Sequence, residues 1–108
     1  MYEKHGLMVR ITNPDVIAYL RNNPDTPNKQ LIETALREKI GIPPKVYGPY
    51  YGRKKMSNCG NAFPVKISDQ DLVDYIIFQN QRYGILQKFI VENAVLEKME
   101  REKYELHR

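Results

Sequence analysis

Apolar and polar residues alternate twice along this chain, and each alternation hands over to helical spacing. Leu7, Val9 and Ile11 point one way while Met8, Arg10 and Thr12 point the other. Phe63, Val65 and Ile67 alternate in the same phase with Pro64, Lys66 and Ser68. A period of two over five or six residues predicts a half-buried strand. Three- and four-residue spacing then takes over, with Val16, Ile17 and Leu20 after the first strand and Leu72, Val73 and Ile76 after the second. This predicts a helix A in each half. "TNPD" and "SDQD" fit Ser/Thr-x-x-Asp, so Thr12 and Ser68 are expected to cap these helices. Pro24 and Pro27 end the first helix A, and "RYG" ends the second. A helix B follows in each half. Its stripe is Leu31, Ile32, Ala35, Leu36 and Ile40 in the first, and Leu86, Phe89, Ile90, Ala94 and Val95 in the second. Gly41 and the Pro43–Pro44 pair stop the first helix B. The second continues into "EKMEREKYELHR", expected to be a solvated helical extension.

The two halves are alike in residue as well as in order. "LIETALREKI" (31–40) and "IVENAVLEKM" (90–99) share Glu33/Glu92, Ala35/Ala94, Glu38/Glu97 and Lys39/Lys98. "VRITNPDVIAYL" (9–20) and "VKISDQDLVDYI" (65–76) share Val, Ile, Asp and Tyr at the same places. The offset is 56 in this block and 59 in the other. The pattern points to duplication of one unit of about 35 residues. The chain divides into a first unit at 1–42, a connector at 43–62 and a second unit at 63–108. One strand and two short helices cannot enclose a core alone. Two units can, by pairing their strands antiparallel into a ribbon and packing four helices on its apolar face. The expected fold is mainly α with a two-stranded antiparallel β-ribbon.

Charge is placed unevenly. Of the net +4, residues 1–42 contribute +1, residues 43–64 contribute +4 and residues 65–108 contribute −1. The 43–64 segment, with Lys45 and the stretch "VYGPYYGRKKMSNCGN", therefore carries the whole imbalance, a patch that attracts polyanions. Three readings of it stay open. Tyr47, Tyr50, Tyr51, Arg53, Lys54 and Lys55 grip a nucleic-acid backbone, or stack on single-stranded bases, or form a spacer that folds back and packs its tyrosines.

Strand, helix A and helix B in tandem resemble the ribbon–helix–helix family of DNA-binding proteins (the MetJ/Arc type), over Leu7–Ile40 and Phe63–Met99. Most members supply one unit per chain. This chain carries two, and is similar to tandem regulators of archaeal viruses. The resemblance implies an intrachain pseudo-dimer acting as a sequence-specific, double-stranded-DNA-binding transcription regulator, a repressor more readily than an activator. It implies a ribbon in the major groove, with outward residues at the base edges. Arg10 is then the leading base reader, because a guanidinium bonds a guanine edge with two donors. Lys66 takes the matching place, Met8 can touch a thymine methyl, and Thr12 and Ser68 contact bases or phosphate unless they are occupied as caps. Pro64 stands where Met8 stands in the other half, so an imperfect palindrome is expected. The alternative for Arg10 and Lys66 is solvated charge on a wet strand face. The family's phosphate clamp at the start of helix B falls on Thr26, Asn28 and Lys29 in the first unit and on Gly84, Gln87 and Lys88 in the second. Arg53, Lys54 and Lys55 are further candidates for the DNA backbone. Self-association on DNA is expected, with Phe89 and Val91 as extra apolar surface.

The rival class is an antitoxin-like or other protein-interaction module on the same fold, with the charged C-terminal helix as its tail. Catalysis is not expected. His5, Cys59 and His107 match no zinc or nucleophile spacing. "YGPYYGRKK" lacks the ending and the context of a phosphate-binding glycine loop. No metal, cofactor or small-molecule substrate is implied. A lone Cys59 precludes an intrachain disulfide, "MYEKHGLMVR" lacks the apolar core of a signal peptide, and no apolar run nears the roughly 18 residues of a membrane span. A cytoplasmic protein, in a host cell if viral, with no membrane partner is the expectation.

Overall fold

The structure, a computed structural model, describes residues 6–49 and 63–106. The element order is β1 (Leu7–Ile11), α1 (Pro14–Arg21), α2 (Asn28–Ile40), β2 (Phe63–Ile67), α3 (Gln70–Tyr83) and α4 (Gln87–Leu106). The two strands form one antiparallel sheet in which Leu7 faces Ile67, Met8 faces Lys66, Val9 faces Val65, Arg10 faces Pro64 and Ile11 faces Phe63. Alternation sorts them as expected. Val9, Ile11, Val65 and Ile67 are buried, and Met8, Arg10, Pro64 and Lys66 are exposed. Both strands of a two-stranded ribbon are edges, which is where a proline lacking an N–H is tolerated.

Helix starts sit one residue later than "TNPD" and "SDQD" suggest. Asn13 caps α1, its side chain accepting from Asp15 N and Val16 N, and Pro14 occupies the first turn. Asp69 caps α3, accepting from Asp71 N. Thr12 and Ser68 are thus not caps: the Asx side chains reach the free N–H groups, leaving both hydroxyls for other partners. α2 starts after Pro27, which offers no side-chain cap, so Thr26 does not cap it either. Gly41 and Gly84 close α2 and α3 in the left-handed conformation, φ +86° and +70°. Gly84 therefore belongs to the end of α3. Leu86 O accepts the first bonds of α4, from Phe89 N and Ile90 N.

The core lies between the ribbon's inner face and the four helices. Ile11, Leu20, Ile32 and Leu36 interlock there with Ile67, Leu72, Ile76, Val91 and Val95, all fully buried. Each such side chain contributes about 1.5–3 kcal/mol by leaving water. The α4 stripe differs from expectation. Val91 is core, whereas Leu86 and Phe89 are exposed at 55% and 45%. Leu86 precedes the helix and Phe89 lies in its first turn, so the extra surface assigned to Phe89 and Val91 reduces to Phe89.

The charged end of α4 is helical and largely exposed, as expected, and it is also tied to the first half of the chain. Tyr19 donates to Glu102 Oε1 (3.0 Å), and Lys98 and Arg101 pair with Glu38 at 3.3 and 2.8 Å. α4 lies against both α1 and α2 along this length. Among the described residues no helix is long and apolar enough to cross a membrane.

Candidate nucleic-acid interface

The antiparallel ladder decides which outward residues are neighbours. Met8 lies beside Lys66, and Arg10 beside Pro64. Arg10 and Lys66, equivalent by repeat, are thus on different rungs, two residue steps apart along the ribbon. Both are exposed, and the outward strand positions carry no acid.

Each end of the ribbon is completed by the other half of the chain. Lys29, in the first turn of α2, donates to Ser68 Oγ at 2.6 Å. Lys88, in the first turn of α4, donates to Thr12 Oγ1 at 3.0 Å. One end therefore gathers Arg10, Pro64, Thr12 and Lys88, and the other Lys66, Met8, Ser68 and Lys29. Hydroxyls and lysines expected to act separately are joined. A hydroxyl that accepts from lysine keeps its own proton to donate, so each pair offers an ammonium and an O–H beside the positive end of a helix dipole, a suitable cradle for an anion. Lys88 Nζ also sits 5.1 Å from the Phe89 ring centroid.

Of the remaining candidates, Asn28 and Gln87 are the first residues of α2 and α4, at the two clusters. Thr26 lies in the turn before α2, its N–H bonded to Asn23 O. Gly84 N donates to Asn80 O as the close of α3. Arg53, Lys54 and Lys55, with Tyr50 and Tyr51, lie outside the described residues. Tyr47 is described, and its hydroxyl donates to Glu33 Oε1 at 2.8 Å, so this tyrosine packs back on α2. Partial burial, and next the Glu33 acceptor, push its phenol well above the usual range.

Residues not foreseen as functional support the site from beneath. Glu33 and Glu92 are buried, not solvated as members of charged helices would be. Glu92 Oε2 accepts from Thr12 N and Asn13 N, both at 2.8 Å, and so fixes the junction of β1 and α1 where Thr12 meets Lys88. Glu33 Oε2 is buried without a hydrogen-bond partner among the described residues. Arg37 ties the other junction, bonding Asp69 Oδ2 at 2.6 and 3.2 Å and Pro43 O at 2.8 Å. The signal for the glutamates was present: an identical acid in both halves, next in sequence to the buried Ile32 and Val91.

No family model, no curated protein and no solved structure matches the chain.

Proposed function

We propose that the protein is a sequence-specific, double-stranded-DNA-binding transcription regulator of ribbon–helix–helix design, in which one chain supplies both units as an intrachain pseudo-dimer. The register supports the pseudo-dimer. Val9 and Val65 are equivalent by the 56-residue offset, and they are also the pair that face each other mid-ribbon. A two-fold relation requires its axis to pass between equivalent residues. The observation that carries the DNA reading is the joint arrangement of an exposed, acid-free ribbon face and a lysine–hydroxyl pair at each of its ends. A two-stranded ribbon fits the major groove. The paired cations would take the flanking phosphates and fix its register. No catalysis or cofactor enters the proposal, and repression follows from occupying a promoter.

A protein-interaction module is the competing class. Its support in the charged C-terminal helix is weaker once α4 is tied down through Glu102. For association of two copies on one duplex, exposed Phe78, Tyr83, Leu86 and Phe89 around the α3–α4 turn are the apolar surface on offer.

Footprinting on the DNA upstream of the protein's own gene, across salt concentrations, tests the proposal. A protected duplex segment whose affinity falls steeply with salt is expected. Absence of protection at low salt, with a partner protein captured instead, would favour the module.

A further inference from the structure

The two ends of the ribbon are alike in scaffold and unlike in readers. Both carry a lysine donating to a strand-end hydroxyl. Between them, one rung pairs Arg10 with Pro64 and the other pairs Met8 with Lys66. Two identical chains would have to present identical ends. Here both strands belong to one chain, so the order of readers is fixed covalently. Lys66 differs from Arg10 in chemistry, and its own setting is defined. Its stem lies across Gly6, with Cε 2.8 Å and Cγ 3.2 Å from where a Cβ on Gly6 would stand.

We propose that the protein recognises a directional, non-palindromic duplex site and occupies it in one orientation. This rests on the duplex-DNA reading above. Arg10 brings a two-donor fork suited to guanine N7 and O6, beside a proline with no polar group. Met8 brings a thioether methyl suited to a thymine methyl, beside the point charge of Lys66. The two rungs are separated by two strand residues, about 7 Å. That is about two base-pair rises of 3.4 Å, so the unlike readings fall close together at the centre of the site.

Selection from a random duplex library with the whole chain tests this. The enriched motif should have unequal halves. Perfect inverted repeats of either half should bind about tenfold or more weakly than the selected site. Pro64→Met with Lys66→Arg makes the outward faces of the two strands equal, and this double variant should enrich a palindrome. A palindrome enriched by the unaltered chain, or an unchanged motif from the double variant, would overturn the proposal while leaving the DNA reading intact. No enrichment of any motif at low salt would remove both. A melting curve of the double variant matching the parent's establishes that its fold is kept.

Discussion

Lys88 and Thr12, 76 residues apart, meet at one end of the ribbon with Nζ 3.0 Å from Oγ1. Lys29 and Ser68 meet likewise at the other end, 39 residues apart. Each pair joins a helix start from one half to a strand end from the other, where an anion would find a full cation and the positive end of a helix dipole together. Lys29→Ala and Lys88→Ala should each weaken specific and random duplex binding alike, and each should lower the salt slope by about one. Neutralising Arg53, Lys54 and Lys55 together should lower it by up to about three if the connector grips the backbone, and leave it unchanged if the connector is a spacer. A slope insensitive to both end lysines would dismiss the clamps.

No acid stands beside Arg10 on the ribbon face among the described residues, so under the proposed duplex-DNA reading its guanidinium would be available to a base edge. Arg10→Ala should cost about 1–3 kcal/mol on the selected site and little on random DNA. Equal losses on both, measured by competition binding, would make Arg10 a backbone contact.

The strands and helices were legible because period two and period 3.6 leave different marks, and here they follow each other without overlap. Val9 and Ile11 then Val16 and Leu20 show the change of period in one half, and Val65 and Ile67 then Leu72 and Ile76 in the other. Caps were misplaced by one because Thr12–Asn13 and Ser68–Asp69 each offer two capping residues in a row, and only backbone geometry chooses between them. The crossed clusters were hidden for a different reason. Equivalent residues in a repeat suggest equivalent neighbours, yet an antiparallel ladder places Arg10 beside Pro64 rather than beside its equivalent Lys66. The buried glutamates escaped because a charge on a helix is usually solvated, and burial depends on a partner that only the folded chain supplies.

Glu92 and Glu33 are equivalent in sequence but differ in their bonds. Among the described residues, Glu92 Oε2 holds two backbone N–H groups, whereas Glu33 holds one tyrosine hydroxyl and leaves Oε2 unpaired. Hydrogen bonds to a charged acceptor are the stronger kind. Glu92→Gln should therefore lower stability by about 1–2 kcal/mol, and Glu33→Gln should stay within about 0.5 kcal/mol of the parent. Urea titration of both variants checks the ranking, and a larger loss at Glu33 would contradict it.

Stability should fall at alkaline pH through two phenols. Tyr19 donates to Glu102 and Tyr47 to Glu33, and partial burial, followed by the carboxylate acceptor, raises both above the usual tyrosine value. A raised folded pKa means the folded chain keeps its proton where the unfolded chain loses it. The contribution is thus complete below about pH 10 and is lost as pH rises above it. Each slope should be smaller than the about 1.4 kcal/mol per pH unit of a fully buried group, because both rings are partly open to solvent. Tyr19→Phe with Tyr47→Phe should flatten the alkaline arm of a melting-temperature profile. At the acid end, burial raises the Glu38 carboxyl, but Arg101 and Lys98 outweigh it and the net shift is downward. Its contribution is therefore present above the usual carboxylate range and lost as pH falls through the lowered value.

Gly6 offers a way to move Lys66 without changing it. The backbone at Gly6 is not in the left-handed region, so only space is at stake. A Cβ there would meet Lys66 Cε at 2.8 Å and Ile67 O at 3.0 Å. The lysine end can swing away, while the carbonyl oxygen must shift by a few tenths of an ångström. Gly6→Ala should therefore cost at most about 1 kcal/mol of stability. It should also redirect the Lys66 side chain. If Lys66 reads a base, the variant's preference at the Lys66 end of the selected site should relax while that at the Arg10 end is kept. If Lys66 is only solvated charge, binding-site selection with Gly6→Ala should return the parental motif, and Lys66→Ala should return it too. Agreement between these two variants separates the role of Lys66 from any general loosening of the ribbon, which would blur both ends together.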